Sequence, residues 1–435
     1  MEGGRQKCEV LKALEALKKA SKEIEANPVG AAEKGNDGCD SPSMKALLQL
    51  QSGSCDLLSG DPQLATLSDL LNRLRCLASS ICSSSCLDGG ECGRGGGGKG
   101  GILGSIRWLR STHSHEISRV AGSIGAEIQS WIDRESADRL VSALRSFSPF
   151  IARGGEVKEE EEEEEDEGEA LVRALQARVS QGFDRGLQDV LLRSGAFAAV
   201  ESALADAAAP KRVRECAATA VLALVRFNKA VFVGPVLMGP TVGALVSMAS
   251  ASASASAAAL RALNGLIRAI RSPLVDELHA RGQIPRLVGL LGGSVAVEVR
   301  ILALDWALEI GYFGRKEAID AMIAEGLIKR LTALQRSDLG GALIEMDGGG
   351  RGAVPVGQLR RGRGVGEEER QFLEARPFAS CVARWAVQVE VGEGLRQREK
   401  REIKREVVAR VREAAASEAE AATALAEVLW GSTLW

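Results

Sequence analysis

A chain of 435 residues is longer than one ordinary hydrophobic core organises and points to two or three domains. Its formal net charge of -3 argues against nucleic-acid binding driven by overall charge. Aromatic residues at 4% beside abundant alanine and aliphatics suit stacked helices with closely approaching backbones, not a β-sandwich.

The N-terminal part reads as a helical bundle over residues 1–152. Val10, Leu11, Leu14, Leu17 and Ile24 recur at helical spacing between lysines, and Asn27-Pro28 ends that helix before a small, polar loop over 30–42. Helices are expected over 44–58 and 64–77, the second introduced by Asp61-Pro62. The serine, cysteine and glycine stretch over 79–101 is too poor in apolar residues to fold alone and reads as a disordered insert. Helical period returns over 102–110 and 115–131, with Ile106, Leu109, Ile117, Val120, Ile124, Ile128 and Trp131 on the buried face, and again over 139–151. Residues 156–169 are almost wholly acidic. Charges so dense repel and stay solvated, which marks 153–169 as a linker.

From residue 170 the chain repeats itself. Arg281 to Gly293 joins two helices: a glycine stops the first, Pro285 opens the second, and Ile284, Leu287, Val288, Leu290 and Leu291 share a face. Similar joints occur at Ser194-Gly195-Ala196-Phe197, Gly239-Pro240-Thr241-Val242 and Glu325-Gly326-Leu327-Ile328. The steps between their glycines are about 44, 43 and 44 residues, the period of a helical repeat. About five repeats fill 170–435, interrupted by a glycine- and arginine-rich loop over 336–370. Trp430 and Trp435 suit an apolar closing cap, or else an exposed terminal anchor; the cap is favoured because terminal repeats must cover the core.

Gly282 to Leu291 resembles, almost residue for residue, the Gly-x-Ile-Pro-x-Leu-Val-x-Leu-Leu phrase of armadillo repeats, plant-type arrays included. The resemblance implies an all-α chain, a right-handed α-solenoid of armadillo-like repeats preceded by a small helical bundle. It also implies a non-enzymatic scaffold or adaptor that takes protein or peptide partners in a groove lined by the third helix of each repeat. Those helices align at Ala217 to Leu224, Ala259 to Leu266, Ala303 to Ile310, Val382 to Val389 and Ala421 to Val428. Where the family keeps a peptide-binding asparagine, the column holds Ala223, Gly265, Glu309, Gln388 and Glu427. The expected groove residues are Asn264, Asp305, Trp306, Glu309, Trp385, Gln388 and Glu427: apolar packing around the tryptophans and an acidic or polar stripe favouring a basic peptide. Plant U-box ligases carry arrays with the same phrase, so a substrate-binding role linked to ubiquitin ligation is an alternative. No U-box-like stretch stands upstream.

A second resemblance covers roughly residues 44–134. Leu67-x-x-Leu70-Leu71, Ile102 to Arg110, Glu116-Ile117-x-x-Val120-Ala121 and Trp131 resemble the N-terminal domain of the elongation factor TFIIS. It implies a turn at Ile102 to Arg110 and a nuclear, transcription-associated docking role.

No enzyme motif stands out. Gly93 to Lys99 imitates a phosphate loop but lacks the following Ser or Thr and a preceding strand. Cys82, Cys86 and Cys92 with His113 and His115 offer zinc-type donors without paired Cys-x-x-Cys spacing, and nine scattered cysteines read as reduced thiols, with Cys216 and Cys381 in the core. His279 reads as a solvated or helix-capping residue, and Asp305 with Glu309, one turn apart, as a charged ridge. Arg360 to Arg363 and the helix Arg396 to Arg405 could serve as nuclear-import signals or RNA contacts, but glutamates interleaved at salt-bridge spacing and the lack of aromatics for stacking on bases favour a solvated face. Neither cofactor nor metal is expected, and nucleic acid is not an expected partner. With no apolar run of bilayer length and no leader-like start, a soluble protein of cytoplasm or nucleus without a membrane partner is expected. The sequence says nothing of oligomeric state.

Overall fold

The computed structural model describes residues 2–26, 65–85, 101–146, 159–340 and 375–430, and among them every regular element is a helix. They group into two compact units, Met1–Asp138 with Asp184–Ser194, and Arg139–Phe183 with Gly195–Trp435.

In the first unit, α1 (Glu2–Ala26), α2 (Ala65–Ser85) and α3 (Gly101–Ser146) share one core. Leu14, Leu17 and Ile24 of α1 meet Leu67, Leu71 and Leu74 of α2 and Ile117, Ile124 and Ile128 of α3, with Trp131 packed at its edge. Small residues let α1 and α3 approach closely. A Cβ added at Gly125 would lie 2.5 Å from Ser21 Oγ. A further helix of this unit is α5 (Arg185–Ser194).

Two expectations change here. Residues 102–110, 115–131 and 139–146 form one continuous helix, because nothing between them breaks it: Ser111-Thr112-His113-Ser114 contains neither glycine nor proline. The turn implied at Ile102 to Arg110 by the TFIIS resemblance is therefore helical. Likewise α2 continues to Ser85, into the stretch read as a disordered insert, since the first glycine there is Gly89. The expected loop over 30–42, the helix over 44–58, the phosphate-like Gly93 to Lys99, and Trp435 lie outside the described residues.

The first helix lying wholly in the second unit is α4 (Glu159–Val179). Most of the expected acidic linker is thus the first half of a helix. Glutamate is a good helix former and favourable at the positive N-terminal end of the helix dipole, and Val172, Leu175 and Val179 bury the second half. Glu169, expected to be solvated, is buried and paired with Arg173.

The repeats follow as α6 (Ala196–Ala205) and α7 (Lys211–Phe227); α8 (Lys229–Met238), α9 (Thr241–Ala249) and α10 (Ala253–Ile270); α11 (Ser272–Ala280), α12 (Ile284–Gly289) and α13 (Val297–Phe313); and α14 (Lys316–Ala324), α15 (Leu327–Gln335) and α16 (Cys381–Val391). A closing pair, α17 (Gln397–Ala414) and α18 (Glu418–Trp430), ends the array. This is an α-solenoid of armadillo-like repeats: two short helices, then a long third one, three times over.

Gly195, Gly282 and Gly326 take the joint with φ of 70°, 63° and 77°, where a side chain would be strained. Gly239 does not, with φ -85° and ψ -172°. It precedes Pro240, whose ring disfavours a helical ψ in the residue before it. There the glycine serves close approach, since an added Cβ would lie 2.7 Å from the Pro235 carbonyl oxygen.

The long helices α4, α7, α10, α13, α16 and α18 pack each against the next in chain order. At the centre, α10 reads Ala-Ser-Ala-Ser-Ala-Ala-Ala and buries all but its outward residues, so that α7 and α13 flank it closely. Main-chain oxygens are captured across the stack. Gln176 Nε2 of α4 donates to Cys216 O at 2.7 Å, Asn264 Nδ2 of α10 to Leu302 O at 3.0 Å, and Trp385 Nε1 of α16 to Ala307 O at 3.1 Å.

Candidate functional site

The third helices expose a shared face, because residues three, four and seven apart point the same way and the helices lie side by side. On α10 this face carries Arg261 and Arg268, on α13 Glu298, Asp305 and Glu309, and on α16 Arg384 and Gln388. Charges meet across the helices. Arg268 Nε donates to Glu309 Oε1 at 2.6 Å, and Arg261 pairs with Glu298.

Asp305 stands between Arg384 and Arg268. Burial pushes its carboxyl above the ordinary aspartate value, the two arginines pull it back, and Glu309 adds to the rise. Burial in turn pulls the Arg384 guanidinium down, opposed by Cys381 and Asp305; its Nη1 also donates to Pro377 O at 2.7 Å. The face thus carries charges of both signs, of which Arg268 with Glu309 and Arg261 with Glu298 are ion pairs.

The expected groove residues separate into three groups. Asp305, Glu309 and Gln388 lie half-buried on the shared face. Trp306 and Trp385 are fully buried, which corrects their expected role: they underlie the face and offer a partner no surface. Their size and the helical spacing that placed them on α13 and α16 suit the core equally well. Asn264 is 4% exposed and holds Leu302 O, so it clamps two helices and is not presented outward; its Oδ1 is buried without a hydrogen-bond partner.

Glu427 lies on α18, where burial raises its carboxyl pKa while bonds from Gln335 and Ser380 lower it. Gln335 Nε2 donates to it at 2.9 Å, so it belongs to a different neighbourhood from Asp305 and Glu309. The acidic or polar stripe expected from Glu309, Gln388 and Glu427 is divided between these neighbourhoods. Glu309 is neutralised by Arg268 and Glu427 is satisfied locally.

Sequence reasoning missed the arginines. Arg261 and Arg268 are seven apart on α10, while Glu298 and Glu309 are eleven apart on α13, both spacings of one helical face. Comparing adjacent third helices for complementary charge, not only for the asparagine column, finds them. Gly265, the asparagine-column residue of α10, is bare for a packing reason: an added Cβ would run into the Leu222 side chain.

The remaining candidates fall elsewhere. His279 is exposed in the last turn of α11, as its sequence context suggests. Cys381 is buried, donates to Leu331 O at 3.1 Å and has its thiol pKa pushed up to about 12 by burial. Cys216 is half-buried beside Glu169, and burial raises its pKa too. His115 is exposed, while Cys82 and His113 have no described side chain and Cys86 and Cys92 lie outside the described residues. Among the described residues no three His, Cys, Asp or Glu side chains cluster as metal donors. No single described helix is long and apolar enough to cross a membrane; α8 and α9 reach that composition only together, bent by 68°.

No protein-family model matches the chain. No curated protein matches it either. Among solved structures it is similar to a designed armadillo repeat protein, with 15% identity and a TM-score of 0.38 over 68% of this chain and 99% of that one. It is also similar to a designed armadillo repeat protein in complex with the peptide (KR)4, with 17% identity and a TM-score of 0.40 over 67% and 99%. An engineered protein matches at 16% identity and a TM-score of 0.40 over 97% and 98%. What establishes the repeat in this chain is its own helix order, joint geometry and third-helix packing.

Proposed function

We propose that this protein is a non-enzymatic scaffold that holds an extended polypeptide segment across α10, α13 and α16. The observation that carries this reading is the continuity of the third-helix face, where Arg261, Arg268, Asp305, Glu309, Arg384 and Gln388 come from three successive repeats. A peptide laid across them exchanges its own charges with the ion pairs already in place, so it needs both signs. That differs from the purely basic peptide that an unpaired acidic stripe would favour. Half-buried charges on a shaped, partly desolvated face give specificity more than raw affinity.

The division into a bundle over 1–152, a linker over 153–169 and repeats over 170–435 is part of the same proposal, with the bundle as a separate docking module. The ligase-linked reading keeps this face and changes the partner, whereas the transcription-linked reading rests on the bundle alone. An in vitro ubiquitination assay and the protein's distribution between cytosol and nucleus separate them.

The test is selection of peptides from a displayed random library on the full chain, followed by titration of one selected peptide. Arg384→Glu is expected to weaken it by about tenfold or more, the range of one truncated interfacial charge pair, and Gln388→Ala by several-fold, the range of one neutral hydrogen bond. Undiminished binding to both variants, or no enriched peptide, sinks the reading.

A further inference from the structure

The last repeat carries a second recess. On α16, Ala386 and Glu390 stand two residues beyond Arg384 and Gln388, about 200° around the helix, so they point away from the third-helix face. With Val389, with Ile403 and Val407 of α17 and with Val428 of α18 they line a trough of about 450 Å³, within the range of about 300–1,000 Å³ usual for ligand pockets. Its apolar floor is recessed: Val389 is 4% exposed, Ile403 2% and Val407 1%. Only a side chain projecting into the trough reaches them.

One wall of the trough is basic, formed by Lys400, Arg401 and Lys404 of α17. Two of these cations are engaged at the end of α16. Lys400 Nζ donates to Glu390 O at 2.7 Å and to Gly392 O at 2.8 Å, and Lys404 Nζ lies 3.7 Å from Glu390 Oε2. Arg401 has no ion-pair partner among the described residues, and neither has Arg405 or Arg412. All three are exposed, fall within about 40° of one another around α17 and extend about 16 Å along it. The glutamates of α17 lie on another arc, where Glu402 pairs with Arg398 at 3.3 Å, and Glu406 and Glu413 with Arg410 at 2.8 and 3.2 Å.

A ligand that matches both features is elongated, carries several negative charges and offers an apolar side chain. A bilayer is flat and does not enter the recess, and the arginine arc holds no Trp, Phe or Leu to insert into one. Nucleic acid leaves the apolar floor unused and finds no aromatic ring on the arc to stack on.

We infer that this surface binds an acidic peptide segment of a partner protein, with an apolar side chain seated in the trough between α16 and α17 and carboxylates on Arg401, Arg405 and Arg412. It is distinct from the third-helix face. Exposed charge pairs contribute little each and are screened by salt, so the anchor and the arginines are needed together.

Fluorescence anisotropy of a labelled (Glu-Glu-Leu)4 peptide titrated with the full chain at about 50 mM salt tests this. Binding is expected, and it should weaken about tenfold or more in about 0.5 M salt. The peptide (Glu-Glu-Ser)4 keeps the charge and lacks the anchor, and should bind about tenfold more weakly, the effect of burying one leucine. Arg401→Glu, Arg405→Glu and Arg412→Glu together should weaken (Glu-Glu-Leu)4 by about tenfold or more, whereas Lys at the three positions should retain most of the binding. Ala386→Leu fills the trough without touching a charge and should weaken it by about fivefold or more. No binding by the wild type, equal binding of the serine peptide, or wild-type binding by the triple Glu variant or by Ala386→Leu overturns the proposal. So does a labelled oligouridylate that binds more tightly than (Glu-Glu-Leu)4.

Discussion

The guanidinium of Arg281 reaches back one repeat to the Gly239 carbonyl, donating to it through Nη1 at 3.1 Å and to Leu237 O through Nη2 at 2.8 Å, while Nε contacts Glu277 at 2.5 Å. One side chain thus ties the Gly282 joint to the Gly239 joint before it. The residues lie 42 positions apart, close to the repeat itself. Arg281→Met keeps the aliphatic stem and removes both carbonyl bonds, with an expected cost of about 1.5–3 kcal/mol. Arg281→Lys should recover little, because an ammonium lacks the planar fork. Hydrogen exchange at the α8–α9 joint reports it: faster exchange in both variants is expected, and unchanged exchange in Arg281→Met contradicts the tie.

Gly282 and Gly239 occupy the same joint for different reasons, and substitution separates them. Gly282 has positive φ and nothing within 4 Å of an added Cβ, so alanine there costs only backbone strain, about 1–2 kcal/mol, and asparagine costs less. At Gly239 the obstacle is the Pro235 carbonyl, so alanine and asparagine should be equally poor. Thermal unfolding of the four variants checks this, and equal rescue by asparagine at both sites would be inconsistent with it.

Trp385 donates its indole N-H to Ala307 O from a fully buried position. Trp385→Phe should lose that bond and leave a small void, destabilising by about 1–3 kcal/mol. A variant that melts with the wild type would show that the bond contributes nothing net.

The pH dependence of stability carries the sign of Asp305. Its folded-state pKa lies above the ordinary 3.8. Between those two values the folded chain still holds a proton that the unfolded chain has released, so stability falls as pH rises through that window. Glu427 acts in the same direction from 4.5 upward. Asp305→Asn should flatten the decline in urea-unfolding free energy as pH is raised from 3.8, the low edge of the window. The slope is the readout, because the variant also deprives Arg384 of a counter-charge. An unaltered slope would remove Asp305 from the account.

Much of the repeat was legible beforehand. The recurring glycine joint fixed the period, and Ala303, Ala307 and Ile310 behaved as an apolar third-helix face should. What escaped were features set between helices. Nothing local distinguishes Trp306 in a core from Trp306 in a groove, and the partner of Glu309 lies 41 residues earlier. Charge density also misled: the glutamates of α4 repel, yet their helical propensity and the buried second half decide the local structure.

The most direct measurement places a benzophenone group on a selected peptide and maps the photo-crosslinks to the full chain. Adducts confined to α10, α13 and α16, at residues such as Arg268, Asp305 and Gln388, are the predicted result. Adducts on α1–α3, or on the side of the array away from the third helices, would contradict it.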